Sequence, residues 1–273
     1  MTGKRWAALI IVLALLGLLV AGGFLAYRYV YERLTPERCT VISGDLEVGL
    51  TREQARNASI IVAASVERGL PERAAIVAIA TAYQESGLRN LDYGDRDSLG
   101  LFQQRPSYGW GTEEEIMDPW YSSHRFYEEL VKFDNWETTE INDMAQKVQR
   151  SGHPEAYRKH VDNATAVAQS LLGAPESISC VSFSVGDAAP EEFTPVLDAI
   201  GAEYVVDEGS VRITTADDEK KVWSAANMVI ANSYRGGVSG ATVLGRAWTP
   251  ARLGWTDAET PADQAPAVLT LGP

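Results

Sequence analysis

From Trp6 to Ala26 the chain runs for 21 residues without a charge (WAALIIVLALLGLLVAGGFLA). At about 1.5 Å per helical residue, that run reaches roughly the 30 Å of a bilayer core. The segment is therefore a membrane helix or a signal peptide. Secretory apolar cores usually span about 7–15 residues, so the length favours an uncleaved anchor. Against that, Ala21-Gly22-Gly23 has the small side chains of a cleavage site. We read residues 1–5 as a cytoplasmic tail and 6–27 as a transmembrane helix. The flanking charges hardly orient it, with Lys4 and Arg5 on one side and Arg28, Arg33 and Arg38 on the other. The two cysteines say more. A bridge between Cys39 and Cys180 would tie together the ends of the first folded region, and disulfides persist in oxidising compartments. In the chain-entropy picture a loop that long contributes on the order of 4–5 kcal/mol when closed. The alternative is a pair of unrelated buried thiols. The bridged reading makes the chain a single-pass protein of the cell membrane with its folded parts on the extracellular side.

Charge and ligand chemistry narrow the function next. With 24 Lys+Arg against 37 Asp+Glu the net charge is −13, which argues against a nucleic-acid partner held by phosphate neutralisation. The two cysteines and three histidines fall in neither a C-x-x-C nor an H-E-x-x-H pattern, so no metal and no cofactor is expected. His124, His153 and His160 have no partner at triad spacing and receive no role.

Past the anchor, Thr51-Arg52-Glu53-Gln54 has capping-box spacing and opens a helix to Arg68, with Gly69 as its stop. Pro71 starts the next helix, PERAAIVAIATAYQES, which is apolar on most faces and should be buried all round, ending at Gly87. Leu88–Gly111 carries four glycines besides a proline and no helical period, the texture of a structured loop or short hairpin. Asp118-Pro119 caps a helix to about Phe133, and further helical segments follow near Glu140–Arg150 and Pro154–Leu172. Residues 40–175 thus read as one mainly α domain. Beyond Pro175, strands near Tyr204–Val206, Val211–Ile213, Ala241–Leu244 and Arg246–Trp248 flank a helix at Asp217–Asn232, giving a small α+β domain over 176–255. Thr256–Pro273 has three prolines and no period, and reads as a flexible tail.

Glu85 is the residue that carries chemistry. It falls in the last turn of the apolar helix, where desolvation and the negative end of the helix dipole both raise a carboxyl pKa. A carboxylic acid kept protonated near neutral pH is what protonating a glycosidic leaving oxygen requires, and glycosidases add a second carboxylate. Asp92, Asp95 and Asp97 in the following loop are the candidates for that second group, although aspartates in loops commonly serve turns. Gln103, Gln104, Tyr108 and Trp110 combine amide hydrogen bonding with flat apolar faces on which a sugar ring can lie. Phe102 and Trp110 read equally well as buried anchors of the loop.

AIATAYQESGL followed by S-L-G-L-F-Q resembles the soluble lytic transglycosylase and goose-type lysozyme group, whose pattern is a helix ending in Glu-Ser and a later Gly-Leu-Met-Gln. Glu85-Ser86 matches the first element and Gly100-Leu101-Phe102-Gln103 the second, with Phe102 in place of Met. The longer string YGDRDSLGLFQQRPSYGWG is similar to an actinobacterial, membrane-anchored branch of that lysozyme-like superfamily. The resemblance spans about residues 50–172. It implies a lysozyme-like α-rich fold with a groove for peptidoglycan glycan strands and Glu85 as acid/base; from the loop itself Asp97 is taken as the candidate second carboxylate, needed if water attacks, and Ser98, Gln103, Gln104 and Tyr108 as substrate-binding residues. One departure stands out. The family's later Ala-Tyr-Asn-Ala-Gly is replaced by Ala145–Gly152, which lacks the Tyr-Asn pair. Tyr157 is a stand-in within reach, yet an aromatic at helical spacing from Val161 and Ala164 is more often core. The C-terminal stretch ANMVIAN…GVSGATVLGRAWTP is similar to a small module at the ends of some actinobacterial cell-wall hydrolases, an accessory wall-binding or spacing unit without catalytic residues. The expected function is a membrane-anchored peptidoglycan glycosidase, a lytic transglycosylase or muramidase. The competing expectation is a catalytically silent glycan-binding or scaffolding protein on the same fold.

Overall fold

The computed structural model describes residues 2–34, 37–150, 155–215, 218–259 and 265–273. About half of the chain is helical. Residues 1–37 and 38–273 form two separate units. The first is α1 (Thr2–Leu34), in which the window Ile10–Tyr27 has a mean hydropathy of 2.5 and no part is buried. It is long and apolar enough to be a membrane span or a signal sequence.

The second unit opens on a hairpin, β1 (Cys39–Ser43) and β2 (Leu46–Leu50). Helix α2 (Arg52–Glu67) starts at Thr51, whose hydroxyl accepts from the Gln54 N–H while the Gln54 side chain accepts from the Thr51 N–H. This reciprocal cap is the one the sequence spells out. Helix α3 (Glu72–Ser86) is buried along Ala74–Ala82 and packs against α2 and against α5 (Pro119–Leu130), α6 (Ile141–Gln149) and α7 (Val161–Leu171), with α4 (Glu113–Met117) preceding α5. Gly87 ends α3 at φ 65°, the left-handed conformation in which only glycine escapes a Cβ clash, and its N–H caps Tyr83 O. Asp118 caps α5 through the Trp120 N–H. That helix stops at Leu130 rather than Phe133. Where one helix from Pro154 is expected, Arg158–His160 forms a 3-10 turn and α7 begins at Val161; residues 151–154, and with them His153, lie outside the described residues.

The remaining elements are β3 (Ile178–Cys180), α8 (Thr194–Ala199), β4 (Tyr204–Asp207), β5 (Ser210–Ile213), α9 (Glu219–Ala231), α10 (Ser233–Gly236), β6 (Val238–Val243), β7 (Arg246–Trp248), β8 (Trp255–Asp257) and β9 (Ala267–Leu271). Among the described residues they build two antiparallel sheets, one ordered β2-β1-β3 and the other β4-β5-β9-β6-β7-β8. The texture change at Pro175 is not matched by a gap in packing. Helix α9 lies against both α7 and α2, the Asn227 amide donates to Ser170 O at 2.7 Å, and residues 38–273 cluster as one compact unit. The expected flexible tail over 256–273 is corrected outright. Thr256 and Asp257 belong to β8, and β9 pairs with β5 on one side and β6 on the other. Val268 and Leu269 alternate across the sheet, and that two-residue period was too short to register between prolines.

Cys39 and Cys180 are directly opposite each other in the β1–β3 register and form a disulfide across a sequence separation of 141.

A candidate acid/base site at the end of α3

The last turn of α3 holds Glu85 against two later parts of the chain. Tyr157, fully buried, donates its hydroxyl to Glu85 Oε1 at 2.5 Å. Burial raises the Glu85 carboxyl above its ordinary pKa, and the Tyr157 hydrogen bond partly opposes that rise by favouring the ionised form. Tyr157 is thus a core aromatic whose hydroxyl reaches Glu85. Around it, His160 Nε2 lies 3.2 Å from Gln84 Oε1, and its ring stacks on Tyr83 with centroids 5.5 Å apart. Desolvation lowers the His160 pKa, with Lys159 adding to the effect.

Next to Glu85, Ser86 Oγ donates to Leu101 O at 2.7 Å, and Gln149 Nε2 donates to Phe102 O at 2.8 Å. The Leu101–Gln103 segment is therefore pinned between the end of α3 and α6. On its outer side lies a cleft of about 440 Å³, lined among others by Gln103, Arg105, Tyr108, Trp110, Arg125 and Gln149. Arg105 stacks over the Tyr108 ring at 4.3 Å, and Arg125 stands 5.9 Å from the Trp110 ring centre. Phe102 points the other way and stacks on Phe126 in the core.

The loop residues singled out by sequence divide by role. Gln103 and Tyr108 line the cleft; Gln103 sits at φ 48° and donates from Nε2 to Tyr93 O and Gly100 O, both at 3.3 Å. Gln104 is buried and donates to Ser122 O, while its backbone pairs with Leu99. Ser98 is also buried, its N–H bonded to Asp95 O. Asp97 is committed to holding the loop. Its Oδ2 accepts the Ser107 N–H at 2.9 Å and its Oδ1 pairs with Arg105 Nε at 2.7 Å, which keep its carboxyl well below the usual carboxylate range. Asp92 and Asp95 are exposed. Asp97 belongs to the loop's own ion pair with Arg105, and Asp95 O closes a turn of the loop by accepting the Ser98 N–H. Tyr157 and Gln149 are the contacts that sequence patterning left undetermined, since each reaches across a separation of 47 residues or more.

Among the described residues no group of three or more His, Cys, Asp or Glu is arranged to hold a metal ion. Compared with known proteins, the chain matches no family model and no curated relative, so the functional reading rests on this geometry.

Proposed function

We propose that the chain is a membrane-anchored peptidoglycan glycosidase with a lysozyme-like fold, acting outside the cell on the β-1,4 bond after N-acetylmuramic acid. The observation that carries this reading is Glu85: a desolvated carboxyl at the end of a buried helix, oriented by a buried tyrosine hydroxyl, on the helix whose Ser86 holds the loop that lines a polar, aromatic-bearing cleft. In this reading Oε1 accepts from Tyr157 and Oε2 exchanges the proton with substrate. Protonated Glu85 gives its proton to the glycosidic oxygen as the bond to C1 breaks, and the carboxylate so formed takes a proton from the next nucleophile. Gln103, Tyr108 and Trp110 supply amide and ring surface for the sugars.

The state of Asp97 favours a transglycosylase over a hydrolase. A carboxylate tied to Ser107 and Arg105 and held well below its ordinary pKa is a poor base for activating water. In a transglycosylase the muramic acid's own C6 hydroxyl attacks C1 and gives its proton to Glu85, forming an anhydro sugar with no second carboxylate. The Cys39–Cys180 bridge supports an oxidising, extracellular location, with α1 as the anchor. The test is mass spectrometry of muropeptides released from purified peptidoglycan. Anhydro ends released by the parent protein and absent with Glu85→Gln are the expected result. Reducing ends as the sole product would replace the transglycosylase with a hydrolase, and strand binding without release would leave a glycan-binding protein.

A further inference from the structure

Side-chain hydrogen bonds tie α7 to α3 near both of its ends. At the start of α3, Glu72 Oε1 accepts from Gln169 Nε2 of α7 at 2.9 Å. In the last turn of α3, Gln84 Oε1 lies 3.2 Å from Nε2 of His160, the residue immediately before α7. This second tie stands beside the candidate acid. Gln84 is the neighbour of Glu85, and His160 ends the 3-10 turn that follows Tyr157, its N–H bonded to Tyr157 O at 3.0 Å. Two side chains three residues apart thus meet two consecutive residues of α3, Tyr157 on Glu85 and His160 on Gln84. Arg158 and Lys159, the other residues of the turn, are exposed, and Arg158 Nε pairs with Glu155 at 2.6 Å. His160 is therefore the member of the turn that grips α3.

The grip has two parts. The imidazole stacks on the Tyr83 ring with 8° between their planes, which sets the plane of the His160 ring. The bond to Gln84 sets its rotation within that plane. Burial, with Lys159 adding to it, lowers the His160 pKa, so the ring is neutral at neutral pH; facing an amide oxygen, it carries its single proton on Nε2. What the grip protects is a short contact. The Tyr157 hydroxyl stands 2.5 Å from Glu85 Oε1, and a bond of this kind leaves its usual range of about 2.5–3.0 Å once the partners part by more than about half an ångström.

We propose that His160 is a positioning residue: held by Tyr83 and Gln84, it fixes the turn from which Tyr157 reaches α3 and so keeps the tyrosine hydroxyl on the Glu85 carboxyl. His160 touches neither substrate nor Glu85 in this role and acts through Tyr157. Its bearing on catalysis rests on the reading of Glu85 as the acid; the clamp itself rests on the three contacts.

The test follows the Glu85 titration by carbon-13 NMR of the glutamate-labelled full chain in detergent, with thermal melting alongside. His160→Phe keeps a ring over Tyr83 and has no N–H for Gln84. Gln84→Met keeps the length of the side chain, leaves the ring stack in place and removes the accepting oxygen. Each should free the Tyr157 hydroxyl from Glu85 in part of the molecules, so the Glu85 pKa should rise as it does in Tyr157→Phe, and by no more than it rises there. Combined with Tyr157→Phe, neither change should move the titration further, because the route from His160 to Glu85 is already cut. Arg158→Ala, on the outer side of the turn, should titrate as the parent does. A side chain that serves stability alone would lower the melting temperature in both backgrounds and leave the Glu85 titration where it was. Should His160→Phe not fold, Gln84→Met decides. A Glu85 pKa equal to the parent's in either folded variant, or one shifted as far in the Tyr157→Phe background as without it, would overturn the proposal. The carboxyl itself is the readout, so a parent that cleaves no glycan counts against the glycosidase reading and leaves this test in force.

Discussion

Replacing Tyr157 by Phe removes one oxygen from a fully buried ring and leaves Glu85 desolvated without its hydrogen-bond donor. A hydrogen bond to an ionised group contributes about 1.5–3 kcal/mol and a neutral one about 0.5–1.5, so the hydroxyl favours the carboxylate over the acid by about 1–1.5 kcal/mol. The Glu85 pKa, already raised by burial, should therefore climb further in Tyr157→Phe. The sign on stability follows from linkage. A carboxyl whose folded pKa exceeds its unfolded value binds the extra proton in the folded state, so its contribution is fully present below the unfolded pKa and is lost as pH rises through the folded one. The variant should therefore be destabilised more at about pH 8 than at about pH 4, by about 1–1.5 kcal/mol. Carbon-13 NMR of glutamate-labelled protein reads the titration directly, with Glu85→Gln assigning the resonance. In a cleavage assay the alkaline limb of the pH profile should move up in the same direction. A Glu85 pKa that is unchanged or lower in Tyr157→Phe would refute the role given to this hydrogen bond.

Glu85→Gln should abolish glycan cleavage while melting close to the parent, because the amide keeps the shape and has no proton to exchange. Cys180→Ser should melt lower, by an amount on the order of 4–5 kcal/mol in the chain-entropy picture, and non-reducing peptide mapping of native protein should recover one linked Cys39–Cys180 peptide and no alkylatable thiol. Asp97→Asn should loosen the loop without altering the pH dependence of cleavage; since the Asp97 pKa is depressed, its stabilising effect is present above the ordinary carboxylate range and fades on acidification below it, which melting against pH checks. Gly94→Ala should raise KM more than it lowers kcat, because a Cβ there collides with Gln103 Oε1 and Ser98 O and displaces a side chain that lines the cleft.

What could be read from the sequence was what is decided within a few residues. The Thr51 box, the Gly87 stop and the Asp118 cap each act within about one helical turn, and each forms where expected. The strands β1, β2 and β3 gave no comparable signal: they are three to five residues long, and β1 pairs across 141 residues with a partner whose identity no local pattern discloses. Strand β9 differs from its sequence expectation for a related reason: a short alternating segment between prolines gains its order from β5 and β6. At the candidate site, the apolar character of α3 singled out Glu85, while its contact with Tyr157 depends on how the 3-10 turn before α7 meets the end of α3. Gln104 and Ser98 resemble ligand residues by type and spacing, and the folding of the loop on itself turns both inward. His160 meets Gln84 across a separation of 76 residues, and nothing in either stretch announces the other.

The place of β9 in its sheet also sets a condition on biogenesis. Strands β5 and β6 have both been made before β9 exists, yet they cannot meet, because the position between them belongs to the later strand. Until residues 267–271 emerge, the nascent unit carries two open ladder edges facing an empty lane. A transcript cut short before that point would yield a chain with most of its helices and its disulfide partners in place but with adhesive strands exposed, a form readily recognised by proteases and chaperones. The six-stranded sheet is therefore continuous only once β9 has taken its place between β5 and β6.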